Sequence, residues 1–218
     1  LSILTQEMSD SMKSDFCITH FFNPVRFMRL LEIVETPLMN IEKISSLRDF
    51  CKNELGKGIV NCNDTPGFIG NRIGVYAMQV AMYEALDRGL NVEIADALFG
   101  RPLGIPKTGV FGLYDLIGID LMKDVLASFK KELQENDPFM EVVKPHIIVE
   151  KLLEKGFTGN KGPGGFYETK IIDDNEIVKA LNTSDMSYYD FDKVDLDIAR
   201  RVEKEGIKAL LNDESEYG

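Results

Sequence analysis

At 218 residues, 44% of them hydrophobic and 28% charged, the chain has the make-up of a globular protein with room for one large domain or two modest ones. An excess of 36 acidic over 25 basic residues, a net charge of −11, argues against nucleic acid as a partner. No apolar run reaches the roughly 20 residues of a membrane span, so no membrane partner is expected, and three cysteines without metal or redox spacing read as reduced thiols in a cytoplasmic setting.

Residues 1–15 carry Ile3, Leu4, Met8 and Met12 at helical spacing and predict an amphipathic helix. The start has no basic n-region, so it does not read as a secretory signal, and the absence of an initiator Met suggests that residues precede Leu1. Residues 16–22 form a short apolar run closed by Asn23-Pro24, which suits a buried strand. A second apolar stretch at 26–34 predicts another strand. Residues 40–55 look helical up to Gly56-Lys57-Gly58, and Ile59 to Cys62 makes a third strand candidate.

Beyond Asp64-Thr65-Pro66-Gly67 the pattern turns helical. Residues 70–88 predict one long helix ending at Gly89, apolar on more than one side and therefore suited to a core or to a second subunit. A short helix follows at 91–99 with Asn91 as its cap, then a Gly- and Pro-rich stretch from Gly100 to Gly112. Further helices are expected at 113–136 and 138–155. The segment 157–167, FTGNKGPGGFY, follows no strand and opens no helix, so close backbone packing explains its glycines better than phosphate binding. The acidic remainder has one helical pattern at 193–211, formed by Val194, Leu196, Ile198, Ala199, Val202, Ile207 and Leu210.

Two residues stand out chemically. His20 lies in a predicted strand beside the Asn-Pro turn, and Glu32 follows twelve residues later in the next one. Strands joined by a short connection can set such residues side by side. A carboxylate on one imidazole nitrogen then fixes the tautomer and leaves the other nitrogen to take a proton. A histidine in an apolar run is also an ordinary structural residue. Glu32 is harder to explain blandly, because Leu30, Leu31, Ile33 and Val34 frame a carboxylate that is costly to bury alone. Asn23 and Asn71 are uncharged donors able to polarise a carbonyl, though each also fits as a turn or helix-start residue. His20 and His146 have no Cys or His neighbours, so no metal site is expected.

The segment T-H-F-F-N-P-V-R-F-M-R-L-L-E-I-V at 19–34 resembles the signature of 3-hydroxyacyl-CoA dehydrogenases. Four further blocks are similar to that family in the same order: N-D-T-P-G-F-I-G-N-R at 63–72, E-A-L-D-R-G at 84–89, R-P-L-G-I-P-K-T-G-V-F-G-L-Y-D-L-I-G-I-D at 101–120 and G-N-K-G-P-G-G-F-Y at 159–167. The first two are the most diagnostic. Pro102-Leu103-Gly104-Ile105-Pro106 departs from the family's P-M-G-P.

The resemblance implies a fold class: an α/β remnant, the end of a Rossmann-like domain, followed by a mainly α-helical C-terminal domain. The expected divisions are 1–64 for the end of the NAD-binding domain, 65–168 for the helical domain, and 169–218 for an acidic helical extension that starts a second helical domain. It also implies that His20 is the catalytic base, that Glu32 supports it, that Asn71 lies near the substrate carbonyl and that Asn23 lies on the nicotinamide side of NAD. The implied substrate is an acyl-CoA, whose phosphates Arg26, Arg29 or Lys107 could meet, and the implied assembly is a homodimer through the helical domain. The implied activity is oxidation of 3-hydroxyacyl-CoA in fatty-acid β-oxidation. The family's G-x-G-x-x-G turn and catalytic serine are expected upstream of Leu1. The competing reading is a non-catalytic remnant or split product that keeps a helical dimerisation module.

Overall fold

The computed structural model describes residues 1–100, 103, 107–172, 175–192, 194, 196–206 and 208–212. They fall into two compact units, Leu1–Val75 and Tyr76–Gly218, with the division inside one helix. Pro102, Gly104, Ile105 and Pro106 of the departing block lie outside the described residues, as do Ile207 and 213–218.

The first unit is built on a three-stranded sheet of order β1-β2-β3, with β1 at Cys17–Phe21, β2 at Leu30–Glu35 and β3 at Gly58–Asn61. β1 runs antiparallel to β2 and β3 parallel to it. The parallel pair needs a crossover, which is helix α3 at Ile41–Asn53. Asn40 starts α3 by accepting from the Glu42 and Lys43 backbone N–H groups. Leu31 and Ile33 alternate onto the α3 side and pack with Ile44 and Cys51. Being central, β2 is buried on its other side as well, and that is the side Glu32 occupies.

Two sequence expectations differ here. The helix expected over 1–15 is two short ones, α1 at Ser2–Thr5 and α2 at Asp10–Lys13, because Ser9 caps a new start by accepting from the Met12 N–H. The strand expected from residue 26 begins at Leu30. Ahead of it, Pro24 opens a turn whose carbonyl accepts from Phe27 and Met28, and the Lys57 ammonium caps the Val25 and Met28 carbonyls.

Helix α4, Gly70–Asp87, runs from the first unit into the second and ends at Gly89 with a left-handed φ of 68°. In the second unit Met78, Ala81, Met82 and Ala85 bury one face of it, while Ile73 in the first unit is 65% exposed. Tyr76, Val80, Tyr83 and Leu86 are half-buried around that face. Buried Gln79 accepts from the Tyr114 hydroxyl and donates to the Val142 carbonyl, so it enters the core with its polar atoms matched. α5 spans Val92–Leu98, with Asn91 at the cap position but without a side-chain cap bond. The helix expected over 113–136 is divided at Gly118 (φ 107°) into α6, Phe111–Ile117, and α7, Ile119–Glu132. The next becomes a 3-10 turn at Pro138–Glu141 and α8 at Ile147–Glu154, which His146 caps by accepting from the Ile148 N–H.

The glycine-rich segment 157–167 folds around Asp115. The Asp115 carboxylate accepts from the Phe166 and Tyr167 N–H groups, and its carbonyl accepts from Asn160. A Cβ on Gly159 would lie 2.5 Å from the Asp115 carbonyl oxygen, so the glycine permits the close approach anticipated for this loop.

The expectation of a helical extension over 169–218 is corrected in its first part. A three-stranded antiparallel sheet, β4-β5-β6, occupies Tyr167–Ile172, Asn175–Leu181 and Tyr188–Asp190. β-Branched and aromatic residues such as Thr169, Ile171, Val178, Tyr188 and Tyr189 favour strand, and burial of Ala180 and Leu181 fixes the register. Tyr188 and Tyr189 tie this sheet to the Gly165 carbonyl and to Glu93. Helix appears only afterwards, as α9 at Asp197–Glu205 and α10 at Lys208–Leu211 around Gly206 (φ 79°), with Ile198, Val202 and Ala209 buried together.

Candidate active site

All four site residues singled out in the sequence lie in the first unit. The β1–β2 register sets His20 directly opposite Glu32, so both side chains leave the sheet on the same face. His20 Nδ1 stands 2.7 Å from Glu32 Oε2. The His20 side chain is 31% exposed and that of Glu32 fully buried, so one partner meets incoming molecules and the other supports it from within.

The second Glu32 oxygen is also occupied. Oε1 accepts from the Ile69 N–H at 2.9 Å, from the Gly70 N–H at 2.7 Å and from the Cys62 thiol at 3.6 Å. The first two donors belong to the N-terminus of α4, where unpaired N–H groups and the helix dipole favour an anion. Burial alone pushes the Glu32 carboxyl up. The Gly70 N–H, the His20 ring, the Ile69 N–H and the Cys62 thiol outweigh it and hold the carboxyl below its ordinary range. Glu32 is thus a buried carboxylate kept ionised. The cost raises the Cys62 thiol, through burial first and then the Glu32 charge.

Aromatic rings flank the imidazole. Phe22 packs edge-on against it with ring centroids 4.7 Å apart, and Phe68 lies at 5.8 Å. Phe68 has a left-handed backbone (φ 48°), directly after Gly67 (φ 72°), which turns the chain sharply from β3 into α4.

Asn71 is exposed on the first turn of α4, immediately after the Gly70 that binds Glu32. Asn23 is exposed at the end of the His20 strand, before a cis Asn23–Pro24 bond. Of the four, His20 and Glu32 are hydrogen-bonded to each other, and the two asparagines flank the pair along the chain. Arg26 and Arg29 are exposed on the β1–β2 connection, and Arg29 lines an open cleft of about 830 Å³ with Arg48, Lys52 and Lys57. Lys107 is exposed in the second unit. Among the described residues no group of three or more His, Cys, Asp or Glu is arranged for a metal ion, and no helix is long and apolar enough to cross a membrane.

Sequence reasoning missed Cys62, Ile69, Gly70 and the two flanking phenylalanines. Cys62 read only as a reduced thiol, with nothing to set it apart from Cys51, which packs in the α3 core. Its place at the end of the strand beside β2 was the available signal. The backbone donors of Ile69 and Gly70 carry no side-chain signature at all.

A partly exposed imidazole backed by a buried carboxylate is an arrangement that can accept a proton. The model for the 3-hydroxyacyl-CoA dehydrogenase NAD binding domain matches residues 1–65, and the model for that enzyme's C-terminal domain matches 67–169. The chain belongs to the 3-hydroxyacyl-CoA dehydrogenase family. It is 38% identical over all 218 residues to a Rickettsia felis protein named "Putative fatty acid oxidation complex trifunctional enzyme", of which it spans 29%. It is 36% identical over 172 residues to the mitochondrial hydroxyacyl-coenzyme A dehydrogenase of Sus scrofa, covering 78% of this chain and 52% of that protein. Among solved structures, 3-hydroxybutyryl-CoA dehydrogenase from Escherichia coli is similar at 30% identity and a TM-score of 0.55, over 69% of this chain and 30% of that one. FadB2 of M. tuberculosis is similar at 29% identity and a TM-score of 0.57, over 69% and 50%. The chain therefore spans from under a third to about half the length of these relatives.

Proposed function

We propose that this chain supplies the general base and its supporting carboxylate for the NAD-dependent oxidation of (S)-3-hydroxyacyl-CoA to 3-oxoacyl-CoA in fatty-acid β-oxidation. The observation that carries the reading is the His20–Glu32 contact, with Glu32 buried, ionised and saturated by donors on its far oxygen.

The residues present fit the nicotinamide end of an NAD molecule. His20 offers a partly exposed imidazole and Asn23 an exposed amide beside it. None of the chain's glycines has the G-x-G-x-x-G spacing that cradles a pyrophosphate. Bound NAD+ supplies the acceptor for the hydride leaving C3. Glu32 accepts from His20 Nδ1–H, which leaves Nε2 unprotonated to take the proton of the 3-hydroxyl. The imidazolium that forms is stabilised by the ionised carboxylate behind it. Asn71, at the start of α4, is placed by the same Glu32 anchor and serves the thioester carbonyl oxygen. Arg26 and Arg29 are the cations of this unit for the CoA phosphates. In this reading the helical domain pairs with a second copy, and exposed Ile73 on α4 belongs to the surface available for that contact.

The experiment is steady-state NADH formation by the full-length enzyme carrying Asn71→Ala. A rise in KM with a fall in kcat supports the assignment of Asn71 to the substrate carbonyl. Unchanged kinetics remove it.

A further inference from the structure

The N-terminus of α4 touches the His20–Glu32 pair by two routes, and both pass through Gly70. Its N–H donates to Glu32 Oε1 at 2.7 Å. Its missing side chain leaves the space that the Phe22 ring fills: a Cβ at this position would overlap Phe22 Cζ, and would lie 3.1 Å from Phe22 Cε1 and 3.3 Å from Leu30 Cδ2. Contacts that short force something to move. Phe22 is not free to swing away harmlessly, because its ring packs edge-on against the His20 imidazole at 4.7 Å between centroids. Gly74, one turn further along the same helix, has nothing within 4 Å of a built Cβ. The close approach is thus specific to position 70.

We propose that Gly70 is a positioning residue for His20, its lack of a side chain leaving room for Phe22 at the start of α4, so that the Gly70 N–H stays on Glu32 and the ring is not pushed into the imidazole. The proposal rests on the reading of His20 as the base. Adding one methyl group at position 70 displaces Phe22 toward His20 and lengthens the Gly70 N–H···Glu32 bond. Both effects turn the imidazole away from the carboxylate. A misplacement of this kind, on the order of an ångström, costs about 10–100-fold in turnover. Shortening the ring at position 22 relieves it.

The test uses two readouts on Gly70→Ala, Gly70→Ala/Phe22→Leu and Gly74→Ala. In the 218-residue chain, NMR follows the downfield Nδ1–H resonance of His20 bonded to Glu32. In the full-length enzyme, kcat and KM are measured separately. Gly70→Ala is expected to shift or broaden away the resonance and to lower kcat about 10–100-fold. The double variant is expected to recover most of both, and Gly74→Ala to match the parent. Parent-like resonance and kcat in Gly70→Ala overturn the proposal, as does a folded double variant that recovers neither. Should Gly70→Ala not fold, the double variant alone decides by the same criterion. A His20→Gln control with undiminished turnover would reject the base assignment, whereas the resonance test would still report on the positioning.

Discussion

Replacing Glu32 by Gln keeps the shape of the side chain and removes its charge, and the surrounding donors dictate how the amide must sit. Ile69 and Gly70 both present N–H groups to Oε1, so the amide oxygen takes that side. The NH2 group is then directed at His20 Nδ1, where the carboxylate oxygen had been 2.7 Å away. An NH2 can only donate, so Nδ1 must become the acceptor and the proton moves to Nε2. The nitrogen assigned to receive the substrate proton is then already protonated. The expected loss in kcat is about 10²–10⁴-fold, the usual worth of a general base. Stability should change far less. A hydrogen bond to a charged group contributes about 1.5–3 kcal/mol, and two weaken here, but the buried charge that opposed folding is removed as well. A net cost of about 1–2 kcal/mol follows. The assay is steady-state NADH formation by the full-length enzyme, with urea unfolding of the same variant as control. A Glu32→Gln enzyme retaining more than about half the parent's kcat would refute the reasoning, since no folded arrangement of the amide leaves Nε2 as the acceptor.

Burial dominates the shifts of two carboxyls in the second unit: Asp96 is raised to about 6 and Asp115 to about 7, both against backbone N–H bonds that lower them. The folded state therefore binds protons that the unfolded state has released between pH ~4 and ~7, so the stability these groups contribute is complete below pH ~4 and falls as pH rises through the folded values. Urea midpoints across that range should drop with pH in the parent and drop less in Asp115→Asn; parallel pH curves would contradict the assignment. Asp115→Asn should also cost about 1–3 kcal/mol at neutral pH, because one of the Phe166 and Tyr167 N–H groups loses its acceptor. Lacking a glycine-rich phosphate turn, the isolated 218-residue chain should bind NADH weakly or not at all; calorimetry giving micromolar affinity would disprove this.

What the sequence disclosed depended on the distance over which a feature is encoded. His20 and Glu32 lie twelve residues apart in the sequence, and two strands with a short connection suffice to make them neighbours on one sheet face. The α3 boundaries were readable because Asn40 and Gly56 punctuate the helix locally. The cage around Glu32 Oε1 was not readable: its donors come from 37 and 38 residues further on and are backbone groups of a helix start. In the second unit, Asp96 reaching the Tyr167 hydroxyl and Asp115 reaching the Phe166 N–H are likewise tertiary facts with no local pattern. The β4-β5-β6 sheet was missed for another reason. Its strands carry Glu168, Lys170, Glu176 and Lys179, and the acidic composition masked the β-branched and aromatic residues between them. Glycines misled in the opposite sense: Gly118 and Gly206 sit inside helical patterns that continue on either side, and only their positive φ reveals that each divides two helices.

The central claim is that His20 Nε2 takes the substrate proton with Glu32 behind it. The most direct measurement is kcat of the full-length enzyme carrying His20→Gln, with the fold checked by circular dichroism and urea unfolding. A fall of about 10²–10⁴-fold in a variant that folds like the parent is the predicted result. Turnover close to the parent's in that variant would contradict it.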